Sequence, residues 1–86
     1  MPEPAIQSRF DEIYNATHKL TLTFITAKCD RTADIGDIFQ ETYMELYRVL
    51  QKRGPSYIAN DRAFVLRLAK LMIWGLPLAR RLRPLE

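Results

Sequence analysis

The feature that most constrains this chain is the stretch of residues 32–50, TADIGDIFQETYMELYRVL, which divides into an apolar and an acidic side when drawn as a helix. At about 100° per residue, one side gathers the residues expected in the core: Ile35, Ile38, Thr42, Leu46, Val49 and Leu50. The other side carries four carboxylates one turn apart, here called the acidic stripe: Asp34, Asp37, Glu41 and Glu45. Met44 and Arg48 flank the stripe, and Gln40, Tyr43 and Tyr47 fall on the remaining edge. Such a helix needs a second apolar surface to pack against.

A first helix is expected over residues 5–29. Its apolar and threonine side chains recur at the i, i+3, i+4, i+7 spacing of an amphipathic helix: Phe10, Ile13, Tyr14, Thr17, Thr21, Phe24 and Ile25. Leu20 and Leu22 are expected to widen this apolar face. The threonine-rich residues 21–26 also have strand propensity. Helix is preferred because the spacing continues unbroken across them.

The central helix is expected over residues 33–51. Asp30 or Thr32 is the expected N-cap, with Asp34 in the first turn. The sequence KRGP at residues 52–55 is a stop signal. Because the connection to the first helix is so short, the two helices are expected to form an antiparallel hairpin.

A third helix is expected over residues 61–76, capped by Asn60 or Asp61. It is apolar nearly all round, and the glycine and proline within residues 75–77 should kink or end it. Residues 77–86 are expected to form a basic tail. An 86-residue chain makes one small domain. We therefore expect an all-α fold, a small bundle of three main helices in which the third crosses the hairpin.

The composition argues against chemistry at a catalytic or metal site. Cys29 is the only cysteine and His18 the only histidine, so no disulfide, cysteine-rich zinc site or nucleophile–base pair is expected. There is no glycine-rich phosphate loop. We expect a protein that is not an enzyme and that needs no metal and no cofactor.

With Cys29 as the only cysteine, a reducing cytoplasm is the expected compartment. The first ten residues lack the apolar segment of a secretory signal. The most apolar run, residues 63–79, contains Arg67, Lys70 and Pro77 and is too short and too charged for a transmembrane helix. No membrane partner is therefore expected.

Charge is distributed unevenly along the chain. Residues 30–45 hold five acids against one arginine, whereas residues 62–86 hold six bases against one glutamate. This division indicates two surfaces for two partners, or simply two solvated faces. The carboxylates of the acidic stripe repel one another, which is tolerable in water and favourable against a basic partner.

A second candidate surface is basic and aromatic. Arg67, Lys70 and Trp74 are spaced to share one face of the third helix. Positive charge beside an aromatic ring is typical of single-stranded nucleic acid binding. The alternative is a basic tail with Trp74 in the core.

Several motifs resemble region 2 of the sigma-70 family of RNA polymerase initiation factors, especially the small extracytoplasmic-function type. The sequence DIFQETY at residues 37–43, followed by Leu46-Tyr47, is similar to the signature D-[IV]-[VF]-Q-E-[TAV]-[FY]…LY. FDEIY at residues 10–14 and AFVLRLA at residues 63–69 are similar to flanking motifs of the same region. The resemblance covers about residues 9–70.

The resemblance implies that the central helix binds the basic coiled-coil clamp helices of the polymerase β′ subunit. Gln40 and Glu41 match the motif and are expected to contact β′, and Asp37 is the next candidate. Met44 and Glu45, one turn further on, complete the expected polymerase-binding set.

The resemblance also implies contact with promoter DNA. In the family, the loop before the third helix, here residues 51–60, helps to capture a base flipped from the −10 element. The third helix melts this element and holds its non-template strand. Arg67 matches the family arginine, and four other residues are expected DNA contacts from their positions: Tyr57, Arg62, Lys70 and Trp74.

Departures from the family pattern leave an alternative function open. Phe64 replaces the family tryptophan, Leu71 replaces a polar residue, and residues 71–77 are apolar. The alternative is a sigma-like protein–protein module that binds polymerase but does not read DNA. Its apolar segment would pack on a second sigma subunit or an anti-sigma factor. Region 4, which reads the −35 element, has no counterpart in the sequence, so we expect an excised domain or a factor that needs a second subunit. An unrelated helical adaptor would require the DIFQETY match to be chance.

Overall fold

The computed structural model describes residues 4–29 and 31–74, which form three α-helices. These are α1 (Pro4–Lys28), α2 (Thr32–Arg53) and α3 (Asp61–Trp74). Each helix packs against both others, and the described residues contain no strand. The predicted all-α bundle of three helices is confirmed. The expected last turn of the third helix beyond residue 74 and the basic tail at residues 77–86 lie outside the described residues.

Two apolar clusters form the core and set the directions of the helices. The larger cluster joins all three helices and the loop before α3: Ile6, Ile13, Tyr43, Leu46, Leu50, Ile58, Val65 and Leu68. The smaller cluster joins the end of α1 to the start of α2 and the end of α3: Ile25, Ile38, Ala69 and Met72. The start of α1 therefore lies against the end of α2, which makes these two helices antiparallel. α3 lies against the hairpin and contributes to both clusters.

The boundaries of the core differ from the sequence prediction at several positions. Tyr43, expected on an edge of α2, is buried between α1 and α2. Ile35 and Val49, expected in the core, are only half-buried. Residues at the margin of an apolar face are decided by how the helix is rotated against its neighbours, and periodicity does not fix that rotation.

Leu20 and Leu22 are exposed, so the prediction that they widen the apolar face of α1 is wrong. Both flank the fully buried Thr21 in sequence. Each therefore points about 100° away from Thr21, in opposite directions around the helix. The narrow contact face of α1 follows Thr17, Thr21 and Ile25 instead.

The end of α2 and the start of α3 follow local sequence signals, whereas the start of α2 does not. Gly54 ends α2 at φ 96°, a left-handed conformation that favours glycine, and its N–H donates to the carbonyl of Leu50 at 2.8 Å. Asn60 caps α3, since its Oδ1 accepts the N–H of Ala63 at 3.0 Å. At the start of α2 the N-cap is Arg31, with no side-chain cap bond. Thr32 is the first helical residue, so its predicted capping role is wrong; Asp30 lies outside the described residues.

Two candidate interfaces

The residues expected to bind polymerase share the solvent-facing side of α2. Asp37, Gln40 and Met44 are exposed, and the side chain of Met44 is 49% accessible. Glu41 and Glu45 are half-buried beside them. The structure therefore brings all five residues together on one face of one helix.

Arginines on α2 and just before it balance part of the acidic stripe. Arg48 pairs with Glu45, three residues earlier on the same helix. At the other end of the stripe, Arg31 lies 3.5 Å from the carboxylate of Asp34. Exposed pairs of this kind contribute little to stability. Their effect here is to reduce repulsion between carboxylates spaced one turn apart.

An apolar groove runs beside this face, between α1 and α2, and is here called the aromatic groove. It is open to solvent and has a volume of about 780 Å³. Its walls are formed mainly by aromatic side chains from the two helices: Phe10, Tyr14, Phe39, Tyr43 and Tyr47. Gln40, Met44 and Arg48 line its outer edge. Two of the expected polymerase-binding residues, Gln40 and Met44, therefore border an apolar recess as well as the acidic stripe.

The rings of the aromatic groove contact one another mostly edge to face, although Phe39 and Tyr43 are tilted and Phe10 and Tyr14 are stacked. Tyr43 lies with its ring centroid 4.9 Å from that of Tyr14 and 5.0 Å from that of Phe39. Phe10 and Tyr47 lie 5.3 Å apart. Such pairs favour fixed relative orientations of the rings. The groove is thus formed by packed side chains in the unbound domain.

The hydroxyl of Tyr43 is buried under the groove and fully satisfied. It lies 2.7 Å from the hydroxyl of Thr17 and donates to the hydroxyl of Thr21 at 2.9 Å. Thr17 also contacts the carbonyl of Ile13 at 2.7 Å. Burial raises the pKa of Tyr43, and its hydrogen bonds with Thr17 and Thr21 act in the opposite direction. This hydroxyl network joins α1 to α2.

The second candidate interface includes a small pocket between the loop before α3 and α3 itself, here called the loop pocket. It has a volume of about 330 Å³, and polar and apolar groups line it: Tyr57, Ile58, Ala59, Asn60, Ala63, Phe64 and Arg67. Tyr57 is 52% accessible, and its ring lies edge to face with Phe64 at 6.3 Å. The guanidinium of Arg53 lies 5.5 Å from the centroid of the Tyr57 ring. The pocket thus combines an accessible aromatic ring with Arg67, and Arg53 lies beside that ring.

The cationic face of α3, defined by Arg67, Lys70 and Trp74, continues from the loop pocket. All three residues share one face of α3, as the spacing predicted, and all three are exposed. Trp74 is 58% accessible, so the alternative that placed it in the core is wrong. Arg67 and Lys70 also line a neighbouring hollow with a volume of about 410 Å³, together with Phe24 of α1.

Four of the five expected DNA-binding residues therefore lie along one surface. Tyr57 and Arg67 share the loop pocket, and Arg67 and Lys70 share the neighbouring hollow. Arg62 is exposed but lies about 140° around α3 from Arg67, at 100° per residue. It is not brought together with the others.

The structure adds one residue near this surface that the sequence did not indicate, Arg9 of α1. Its side chain is only 19% accessible and forms an ion pair of 2.7 Å with Asp61 of α3. It also donates to backbone carbonyls of the loop before α3. Hydrogen bonding to Asp61 raises the pKa of Arg9, against the effect of burial. Because these partners lie about 50 positions away in the sequence, no local pattern identifies them.

The remaining reactive side chains take part in local contacts. The Sγ of Cys29 donates to the carbonyl of Arg31 at 3.4 Å. His18 stacks on Tyr14, and its Nδ1 lies 3.0 Å from the carbonyl of that residue. Within residues 4–29 and 31–74, histidine, cysteine and carboxylate side chains form no group of three placed to hold a metal ion. In the same part of the chain, no helix has the length and apolarity to cross a membrane.

No family model, curated protein or solved structure matches this chain. The likeness to sigma region 2 therefore rests on the sequence motifs alone.

Proposed function

We propose that this chain acts as a sigma-factor region 2. It docks on the β′ clamp helices of core RNA polymerase through α2. It engages the −10 promoter element as single strand through the loop pocket and the cationic face. The observation that carries the proposal is the placement of three motif residues on one solvent-facing side of α2, where Asp37 and Gln40 are exposed and Glu41 is half-buried.

The chemistry of the α2 surface suits a basic coiled coil. Carboxylates at i, i+4 spacing repel one another, and a basic helix laid along them turns that repulsion into attraction. The aromatic groove beside Gln40 and Met44 provides a recess for an apolar side chain of the same partner. An apolar recess next to complementary charge is the arrangement found in specific protein interfaces.

The chemistry of the second surface suits a single strand. Arg67 and Lys70 attract phosphates, whereas the exposed rings of Tyr57 and Trp74 offer faces and edges to unstacked bases. A duplex keeps its bases stacked and would leave these rings unused. In this proposal the domain binds and orients the strand, and the polymerase performs all chemistry.

Docking is tested by reversing charge on the α2 surface. The double variant Gln40→Lys/Glu41→Lys should weaken binding to a β′ clamp-helix fragment by about a hundredfold, because like charges would then face each other. The matched control is Asp11→Lys/Asn15→Lys, which makes the same change in net charge at two exposed positions of α1. Equal binding by the two double variants would overturn the docking assignment.

Strand binding is tested with the −10 non-template strand and a scrambled strand of equal length, across a range of salt concentrations. Trp74 is the only tryptophan, so its fluorescence reports stacking directly. The −10 strand should bind more tightly at every salt concentration, and Arg67→Ala should weaken it. If the two strands bind with equal affinity and both affinities fall with rising salt concentration, the domain binds phosphates non-specifically and the claim of −10 recognition is wrong.

A specific observation favours a second candidate, the sigma-like protein–protein module. Leu71 and Trp74 lie on α3 with 46% and 58% of their side chains accessible. Neighbouring exposed apolar residues are typical of a surface that a protein partner covers. Ile73 is half-buried against the smaller core cluster, so it is less available to a partner, and Leu76 lies outside the described residues. A domain that binds the β′ fragment but treats both strands alike would support this candidate, with a second sigma subunit or an anti-sigma factor as partner.

A further inference from the structure

We propose that Arg9 is a positioning residue for the loop pocket. It fixes the loop of residues 54–60 and the first turn of α3 against α1, and so preforms the surface that receives the single strand. This inference rests on the proposed function, because it assigns Arg9 a part in strand binding without contact to the strand.

The first line of support is the pair of loop carbonyls that Arg9 holds. Its Nε donates to the carbonyl of Pro55 at 3.1 Å, and its Nη2 donates to that of Ile58 at 3.0 Å. These two carbonyls lie on either side of Tyr57 in the chain. Arg9 therefore fixes the backbone on both sides of the one exposed aromatic ring of the loop.

The second line of support is the link to α3. Nη2 donates to Oδ1 of Asp61 at 2.7 Å, and Nη1 lies 3.4 Å from Oδ2 of the same carboxylate. Asp61 is the first residue of α3 and follows the capping residue Asn60. One guanidinium thus sets the position of the loop relative to the helix that carries Arg67.

The third line of support is that every N–H donor of the Arg9 guanidinium has a partner. A guanidinium has five N–H groups in a fixed planar arrangement. The fifth contact is from Nη1 to Glu12 of α1 at 2.8 Å, so five contacts match five donors. Lysine has three donors on a single nitrogen and does not reproduce this geometry. The role therefore requires arginine and not merely a positive charge.

The loop has few other attachments among the described residues. Ile58 is buried in the larger core cluster. The N–H of Tyr57 reaches the carbonyl of Gly54 at 3.3 Å, a long bond within the loop itself. Without Arg9 the loop would keep the burial of Ile58, the ring contact of Tyr57 with Phe64 and the cap at Asn60, and the strand would have to order the backbone of residues 55–58 on binding.

The test compares Arg9→Lys with the matched control Glu12→Gln. The control removes the charge of the one partner that lies outside the loop and α3. Each variant is assayed, at a temperature where circular dichroism shows it folded, for binding of the −10 strand, the scrambled strand and the β′ fragment. Hydrogen exchange at the amide of Tyr57 follows the order of the loop in the free domain.

We expect Arg9→Lys to bind the −10 strand about tenfold more weakly, since ordering even one or two loop residues on binding has a cost of this size. Binding of the scrambled strand and of the β′ fragment should be unchanged, and exchange at Tyr57 should be faster. A general loss of stability would instead weaken all three binding reactions together. Glu12→Gln should behave as the unsubstituted protein.

The possible failures are distinct. If the unsubstituted protein prefers the −10 strand and Arg9→Lys keeps the same preference, the role of Arg9 is overturned and the proposed function stands. If the unsubstituted protein binds the −10 and scrambled strands equally, the proposed strand-binding function is wrong, and the role proposed for Arg9 is wrong as well. If Arg9→Lys does not fold, Asp61→Asn replaces it as the test variant, because it weakens the link between Arg9 and α3. It should also lower the preference for the −10 strand over the scrambled strand, and an unchanged preference would overturn the role of Arg9.

Discussion

The two candidate interfaces differ in how many parts of the chain build them. The surface proposed to bind polymerase lies on one helix, α2, and a buried hydrogen-bond network centred on Tyr43 joins that helix to α1. The surface proposed to bind the strand combines α3 with a loop, and Arg9 from a third segment, α1, donates hydrogen bonds to that loop. A surface on one helix persists whenever that helix is folded and correctly rotated. A surface assembled from three segments also requires that their relative positions be held.

This difference separates the effects expected of substitutions. A change on the exposed side of α2 alters binding and leaves stability nearly unchanged. Changes around the loop pocket alter stability and binding together, because the same residues close the loop and form the pocket. Asn60 illustrates this, since it caps α3 and lines the loop pocket at once.

The largest loss of stability is expected from a substitution in the core cluster that underlies both candidate interfaces. Leu46 is fully buried on α2 in the larger core cluster, which also holds Ile58 of the loop. Leu46→Ala should lower the free energy of unfolding by about 2–5 kcal/mol, measured by urea denaturation, through lost burial and a cavity. In conditions where only part of the protein is folded, apparent affinity for the β′ fragment and for the −10 strand should fall by the same factor. Loss of one affinity alone would show that the two surfaces fold separately.

A smaller loss of stability is expected from Tyr43→Phe, which disrupts the hydroxyl network between α1 and α2. The substitution keeps the ring in the aromatic groove and leaves the hydroxyl of Thr21 without its buried partner. It should lower the free energy of unfolding by about 1–2 kcal/mol. Binding of the −10 strand by the folded variant should be unchanged, since Tyr43 does not line the loop pocket. Weaker strand binding would contradict the separation drawn above.

The same hydroxyl gives the domain a dependence on pH. The pKa of Tyr43 in the folded state is raised above its ordinary value of 10.0. The folded state therefore holds this proton more tightly, so its contribution is complete below pH 10 and is lost as pH rises through the folded pKa. The stability difference between the unsubstituted protein and Tyr43→Phe, measured by urea denaturation, should be constant near neutral pH and shrink above about pH 10. A constant difference throughout would mean that this hydroxyl does not titrate differently on unfolding.

An effect of about 1 kcal/mol is expected from Asn60→Ala, which removes the side-chain cap of α3. Strand binding should weaken as well, whereas binding of the β′ fragment by the folded variant should not change. Asn60→Ser is the matched control, because serine is an equally good cap. It should restore thermal stability, and any remaining loss of strand binding then measures the part of Asn60 in the pocket itself. If both variants melt alike, the cap does not stabilise α3.

The contrast also explains what the sequence could and could not predict. The three helices and the exposed residues of α2 follow from spacing along a single element, where each residue's surroundings are a few positions away. The cap at Asn60 and the stop at Gly54 are local signals of the same kind. The burial of Tyr43 was missed because it lies at the margin of a helix face, and tertiary packing decides such positions. Arg9 was missed because its partners are 46 to 52 positions distant.

The smallest effect has the opposite sign and tests the aromatic groove directly. Gly36 lies on α2 and lines the groove, and a Cβ built there meets no atom within 4 Å. Gly36→Ala should therefore raise the free energy of unfolding by about 0.5–1 kcal/mol, because alanine favours the helix without a clash. The added methyl group also fills part of the groove, so a partner side chain that enters there should bind a few-fold more weakly.

Strand binding provides the internal control for Gly36→Ala, since the loop pocket lies elsewhere on the domain. A variant that melts higher, binds the −10 strand as before and binds the β′ fragment less well would assign the groove to polymerase docking. If affinity for the β′ fragment is retained, the groove takes no part, and the exposed side of α2 alone accounts for docking. Because this substitution stabilises the fold, weaker docking could not be attributed to unfolding.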